Sequence, residues 1–269
     1  MREFLNRELP SVVLAAIAVA LFAVQWLVGD FPLWLFATPV NLLIFLLWVA
    51  ALVEGYRRRA TSKVVRYLLS SEATYTALAV AALIALVLGL QSEPATTSWP
   101  VVGGAFYLLT ILSLVILRGW RNRDGVRWRF LITHLGLWLG LVAMFFGAPD
   151  KEILRMQVEA KPSREAVNEQ GESRFLDYEI GLDNFVVEQT DEGAPKRFCA
   201  TVRVDERVVD IEVNSPYSHH YGEDIYLVSY ASDGCVLQIV REPWRVVSAV
   251  GVAMLILGAL MLFLQGFKR

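Results

Sequence analysis

Cysteine is scarce: Cys199 and Cys235 are the only two in 269 residues, and they form no CxxC or CxxCH motif. This excludes a disulfide scaffold, a zinc ribbon, CxxC redox chemistry and covalent haem attachment to this chain. There are three histidines and no HExxH, no Gly-rich phosphate loop, no nucleophile elbow and no carboxylate cluster. Nothing therefore points to hydrolysis or phosphoryl transfer, and no catalytic residue is assigned. The formal net charge is -2, which gives no basic surface for nucleic acid, so none is expected as a partner. Charge is also missing locally, from long stretches of a chain that is 55% hydrophobic, as expected when lipid is the solvent for part of it.

Six apolar runs meet or approach the roughly 17–25 residues a membrane helix needs: 11–28, 32–53, 73–90, 101–117, 130–147 and 246–267. The expected fold is a membrane α-helical bundle of about six transmembrane helices with a small antiparallel β domain outside the cytoplasm. Orientation follows the positive charges. Arg57, Arg58, Arg59, Lys63 and Arg66 separate the second and third runs, and Arg118, Arg121, Arg123, Arg127 and Arg129 separate the fourth and fifth. The linkers 29–31 and 91–100 carry no Lys or Arg. Alternation puts both basic loops inside, with the N-terminus (Arg2, Arg7) and the tail (Lys268, Arg269). The expected location is the bacterial inner membrane, multi-pass, with both termini cytoplasmic. The first run has a basic flank but no small-x-small site before Gly29, and reads as an uncleaved anchor.

The expected domains are a five-helix membrane domain (1–148), an exported β-rich domain (149–244), and a closing helix with a short tail (245–269). In the exported part Leu176, Tyr178, Ile180 and Leu182 alternate with polar residues or glycine. Segments 198–204, 208–213, 225–230 and 236–240 also read as strands, separated by turns at Gly193-Ala194-Pro195, Asp205-Glu206 and Ser232-Asp233-Gly234. About five or six strands are expected. Segment 151–174 is polar and reads as a linker or loosely packed helix. Cys199 and Cys235 read as two buried thiols or one structural disulfide.

His134 lies in the fifth run, about 6 Å from its basic end. An imidazole avoids lipid, so it should face a helix, a partner or a cofactor; a hydrogen-bonded or snorkelling histidine is the bland alternative. Gly136 and Gly140, spaced as small-xxx-small, allow close approach of another helix or a flat ligand. His219 and His220 sit in the loop 214–224. As neighbours in a strand they would point opposite ways, so at most one would reach a given metal; surface histidines without a role are the competing reading. Trp26, Trp34, Trp99, Trp120, Trp128 and Trp244 lie near boundaries and read as an aromatic belt, whereas Trp48 and Trp138 lie deeper.

Four features from Thr133 onward are shared with one family: His134-Leu135-Gly136-Leu137 leading into an exported domain; Leu182-Asp183-Asn184-Phe185 followed by Pro195-Lys196-Arg197-Phe198; Val213-Asn214-Ser215-Pro216 with Tyr221-Gly222 and Ile225-Tyr226-Leu227-Val228-Ser229-Tyr230; and Glu242-Pro243-Trp244 before a glycine-containing helix. Pro39-Val40-Asn41, and the stretch from Tyr67-Leu68-Leu69 to Ser70-Ser71-Glu72-Ala73, add to the likeness. In these the chain resembles the ResB-like family of System II cytochrome c biogenesis proteins. The resemblance implies a membrane subunit that helps carry haem b and present it to apocytochrome c, with a CcsA-like partner. It makes His134 the candidate cofactor and haem-iron ligand. His219 and His220 match no ligand of the family and stand, apart from the resemblance, as alternative cofactor-binding residues. The exported domain is small and a tryptophan-rich haem motif is lacking, so a partner is expected to complete maturation. Two other readings stand beside it. One is a scaffold without haem that recruits apocytochrome through an exposed strand. The other is a small-solute transporter, disfavoured by the lack of an inverted repeat or broken helix pair.

Overall fold

The computed structural model describes residues 2–92, 95–122, 125–189, 195–231 and 234–266. Arg123, Gly193, Ala194, Ser232, Asp233, Lys268 and Arg269, used above for loop charge and turns, lie outside them. The chain divides into two compact units, Met1–Pro149 with Val247–Arg269, and Asp150–Val246.

The first unit is helical: α1 (Arg2–Val28), α2 (Val40–Arg57), the short α3 (Lys63–Leu68), α4 (Ser71–Leu90), α5 (Trp99–Gly119), α6 (Trp128–Gly147) and α7 (Arg245–Gly266). Five stretches are long and apolar enough to cross a membrane: Val40–Arg57, Ser71–Leu90, Trp99–Gly119, Trp128–Asp150 and Arg245–Leu264. The chain is thus built as a multi-pass membrane protein. Of the sixth expected run, the stretch Val12–Val28 in α1 is apolar but shorter.

Local chemistry sets the helix ends. Ser62 and Ser70 accept from the backbone N–H of Val65 and Ala73, capping α3 and α4. Pro100 stands in the first turn of α5, where its missing N–H is harmless. Helix α5 is the hub, with α1, α2, α4 and α6 packed on it. Small residues bring these neighbours close. Ala73 and Ala77 of α4 are buried against Ile111, and the Tyr107 hydroxyl donates to the Ala73 carbonyl at 3.2 Å. Between α5 and α6 the chain makes a narrow ladder of β1 (Arg121–Asn122) and β2 (Gly125–Val126).

The second unit is one antiparallel sheet: β3 (Glu152–Val158), β4 (Ser163–Asn168), β5 (Ser173–Gln189), β6 (Pro195–Val204), β7 (Arg207–Glu212), β8 (Tyr217–Ser218), β9 (Glu223–Ala231) and β10 (Gly234–Arg241). Its order is β7-β6-β5-β4-β3-β10-β9-β8, so the first and last long strands pair at its centre. The sheet curls until β7 lies beside β8 and β9, giving a near-barrel. Inside it are Leu154, Met156 and Val158, Tyr178 and Ile180, Ala200 and Val202, and Leu237 and Ile239. The period of two that produces this core is the one expected of a sheet with a single buried face.

Two expectations are corrected. Segment 151–174 is neither linker nor helix: it forms β3, β4 and the start of β5. The sheet has eight strands among the described residues rather than five or six. Strand β4 buries Ala166 and little else, so its own pattern is weak and its two neighbours define it.

Candidate functional site

Aromatic side chains crowd the centre of the helical unit. Trp48 and Trp138 stack with centroids 6.4 Å apart and planes 12° from parallel. Each indole N–H is satisfied inside the bundle, Trp48 by Thr110 Oγ1 at 3.3 Å and Trp138 by Ser113 Oγ at 2.7 Å. Phe45, Phe106 and Phe146 pack around them. Asn41, 2% exposed, donates from Nδ2 to the Phe146 carbonyl at 2.8 Å, pinning the start of α2 to the end of α6.

Beside this cluster is a cavity of about 510 Å³, lined by Phe31, Phe36, Asn41, Trp99, Phe106 and Phe145 among others. Its walls come from the start of α2 and α5 and the end of α6, so it lies at the end opposite Arg57, Arg118 and Arg127. The Trp99 indole N–H is buried without a hydrogen-bond partner among the described residues.

His134 does not line this cavity; it is 11 residues before Phe145, about 16 Å along α6. It is half-buried and lies flat on Phe130, centroids 3.9 Å apart. The Phe130 ring covers Gly119, where a Cβ would stand 2.5 Å from it. Nδ1 lies 2.9 Å from the Phe130 carbonyl oxygen. A carbonyl only accepts, so Nδ1 carries a proton, and in a neutral ring the lone pair is then at Nε2. That is the form in which an imidazole binds a metal.

The neighbouring stripe of α6 is filled. Gly136 and Gly140 meet Gly251 of α7: a Cβ on Gly251 would stand 2.7 Å from Gly140 N and 2.8 Å from Gly136 O. The same stripe brings Thr133 against Gly258. Of the two uses foreseen for these glycines, the structure takes the helix of the same chain.

In the β unit His219 and His220 follow the short β8 rather than continuing a strand, so alternation does not separate them. Their rings lie 3.9 Å apart, and His219 also packs 4.3 Å from Tyr178. Both His219 nitrogens are shut from solvent and have no hydrogen-bond partner among the described residues. Burial, and then the adjacent His220, lower its pKa from the model-compound value of 6.5. The pair lines a polar cavity of about 770 Å³ with Arg164, Glu179, Asp205 and Arg207.

A depressed histidine makes a pH prediction with a fixed sign. Between 6.5 and its lower folded value, the unfolded chain takes up a proton that the folded ring refuses, so stability is present above 6.5 and falls as pH drops through that window. Pulse proteolysis in urea should show a lower midpoint for the β unit at pH 5.5 than at 7.5. His219→Gln should flatten that difference; an identical slope in the variant would show that other groups account for it.

Sequence reasoning missed a network beneath this pair. Glu223 is 4% exposed, receives the Tyr178 hydroxyl at 2.8 Å and Arg241 Nε at 2.5 Å, while Arg241 also donates to Glu152 at 3.1 Å. Burial and the Glu223 carboxylate push the Tyr178 pKa far up. No motif marks the network, because its members are scattered over β3, β5, β9 and β10. The cysteines are both thiols. Cys235 is fully buried, and burial pushes it up to about 11, which makes it unreactive.

The model of the ResB-like family matches residues 125–236. No curated protein matches the sequence. Among solved structures the chain is similar to "Cytochrome c Heme Lyase CcmF", at 15% identity and a TM-score of 0.42, over 91% of this chain. The chain spans 42% of that protein's length. At that score the likeness carries no argument about this chain. The family match covers α6 with His134 and most of the sheet, and so the first three of the four shared features; Glu242-Pro243-Trp244 and the features at 39–41 and 67–73 lie outside it. From β2 to the start of β10 the chain is thus similar to the ResB-like family.

Proposed function

We propose that this chain is a membrane subunit of a System II-type cytochrome c maturation complex, holding haem b and presenting it to apocytochrome c with a CcsA-like partner. The ResB-like match supports that setting. The observation that carries the haem assignment is His134: a ring stacked on Phe130, with Nδ1 hydrogen-bonded to a carbonyl, so that in a neutral ring the lone pair is at Nε2. Haem is the substrate, and His134 would supply one axial ligand. The apocytochrome brings the thiols and haem the vinyl groups, so this chain contributes positioning rather than a catalytic side chain.

In this reading α1 is the first of six spans, both termini are cytoplasmic, and the β unit faces the periplasm across the bacterial inner membrane. The Arg-rich loops after α2 and α5 support the orientation.

The test is haem per assembled complex. His134→Ala should strip most of the haem that co-purifies, and added imidazole should restore part of it by filling the coordination position. Unchanged haem per complex in the variant refutes ligation by His134, even where total activity falls.

A further inference from the structure

The aromatic-walled cavity of the helical unit takes no part in the reading of His134, and its few polar groups are unequal. No charged side chain lines it. The Asn41 amide is already engaged: Nδ2 donates to the Phe146 carbonyl, and Oδ1 accepts from Thr38 Oγ1 at 3.3 Å and from the Leu42 backbone N–H at 2.7 Å. The Trp99 indole N–H is different, being buried with no acceptor among the described residues. Phe31 meets the Trp99 ring edge to face at 4.8 Å, but an aromatic face is a weak acceptor. A donor shut away from water is costly unless something supplies an oxygen, and lipid tails supply none.

The walls say what else the occupant must be. Along α5 the lining runs from Trp99 to Leu109, about 15 Å at the rise of a helix. The free donor stands at one end of this stretch, and beyond it Val102, Phe106 and Leu109 offer only hydrocarbon. Phe106 and Met144 line the cavity and are exposed, so it opens on the flank of the helical unit. On that flank a membrane presents acyl chains. Trp99 is the first residue of α5, at the end opposite the arginines, which puts it at the level of the bilayer interface. Ester carbonyls of phospholipids lie at that level, each joined to an apolar chain that points inward.

We propose that this cavity holds one acyl chain of a phospholipid, whose ester carbonyl accepts from Trp99 Nε1. The chain runs from Trp99 toward Leu109 and fills the space between α2, α5 and α6. The phosphate head stays outside the mouth, because the walls offer it no counter-charge. The cavity volume of about 510 Å³ is within the range of specific ligand sites.

The experiment is native mass spectrometry of the purified full chain in detergent. The chain is stripped of lipid and then offered an equimolar mixture of diester and diether phosphatidylglycerol of equal chain length. The wild-type chain should retain one lipid after the surrounding lipids are removed, and should favour the diester about fivefold, the worth of one neutral hydrogen bond. Trp99→Phe keeps an aromatic wall and removes the donor, so it should retain the two lipids equally. Ala105→Trp puts an indole into the cavity from α5 and should retain neither. A monodisperse peak on size exclusion checks that each variant is folded. Equal retention of diester and diether by the wild-type chain would overturn the carbonyl contact and with it the proposal. So would an Ala105→Trp chain, folded by that check, that still keeps its lipid, or a wild-type chain that keeps a neutral species such as a quinone in place of phospholipid.

Discussion

Gly251→Leu should abolish the assembled membrane unit. Gly251 faces backbone on both sides: a Cβ there would stand 2.7 Å from Gly140 N, 2.8 Å from Gly136 O and 3.2 Å from Gly140 Cα. None of these atoms is the flexible end of a side chain, so relief means moving one helix off the other. Gly136 is its mirror, with a Cβ 2.8 Å from Gly251 O and 2.9 Å from Leu255 N. In lipid, helices gain little from burying apolar surface against each other, so van der Waals contact carries their association. A leucine forced between α6 and α7 should cost about 3 kcal/mol or more, the upper end for overpacking. Detergent-solubilised protein should shift from a monodisperse peak to aggregate or degraded chain. Ala259→Leu, on an exposed face of the same helix, is the control and should behave as wild type. Equal yields of the two variants would mean that α7 does not seat on this stripe.

Lipid leaves a plain mark on sequence, which is why the helical unit was legible. A run of apolar residues bounded by arginine needs no partner to be recognised, and α4, α5, α6 and α7 follow the runs within a few residues, whereas α2 starts only at Val40, after a separate 3-10 turn at Leu33–Phe36 inside the run 32–53. Helix α3 was hidden in the basic stretch between the second and third runs, because a six-residue helix has no apolar stripe to show. The sheet was legible only where a strand carries its own alternation. β5 and β10 do, burying Tyr178 and Ile180, and Leu237 and Ile239. β3 also alternates, with Leu154, Met156 and Val158 inward, but over three apolar positions between Arg155 and Gln157 the pattern is short. The candidate site divides the same way. His134 stood out as an ionisable group in an apolar run. That α7 would take up its glycine neighbours, and that the His219 and His220 rings would meet over Tyr178, depend on contacts between distant segments that no local pattern encodes.

Arg241→Met should destabilise the β unit by about 3 kcal/mol, near the low end for breaking a buried ion pair. The low end applies because Arg241 is itself about a third exposed, its side chain at 32%, so water screens part of the loss. Glu223, with its side chain at 5%, would remain as a carboxylate with the Tyr178 hydroxyl as its hydrogen-bond donor. Glu152, formerly on the same guanidinium, would be left facing the same region without its counter-charge. In wild type the guanidinium spans β10 to β3 and β9, tying together the strands that close the centre of the sheet. Peptide-resolved hydrogen exchange should therefore speed up in β3, β9 and β10 by about a hundredfold if those amides exchange through opening of the unit. Glu223→Gln/Arg241→Met separates the charge from the packing. The glutamine oxygen still accepts from Tyr178, and no carboxylate is left buried, so the double variant should recover more than half of the loss. If the double variant were as unstable as Arg241→Met, the stranded Glu223 charge would not be the cause, and the arginine would act through packing of its aliphatic stem against the strands.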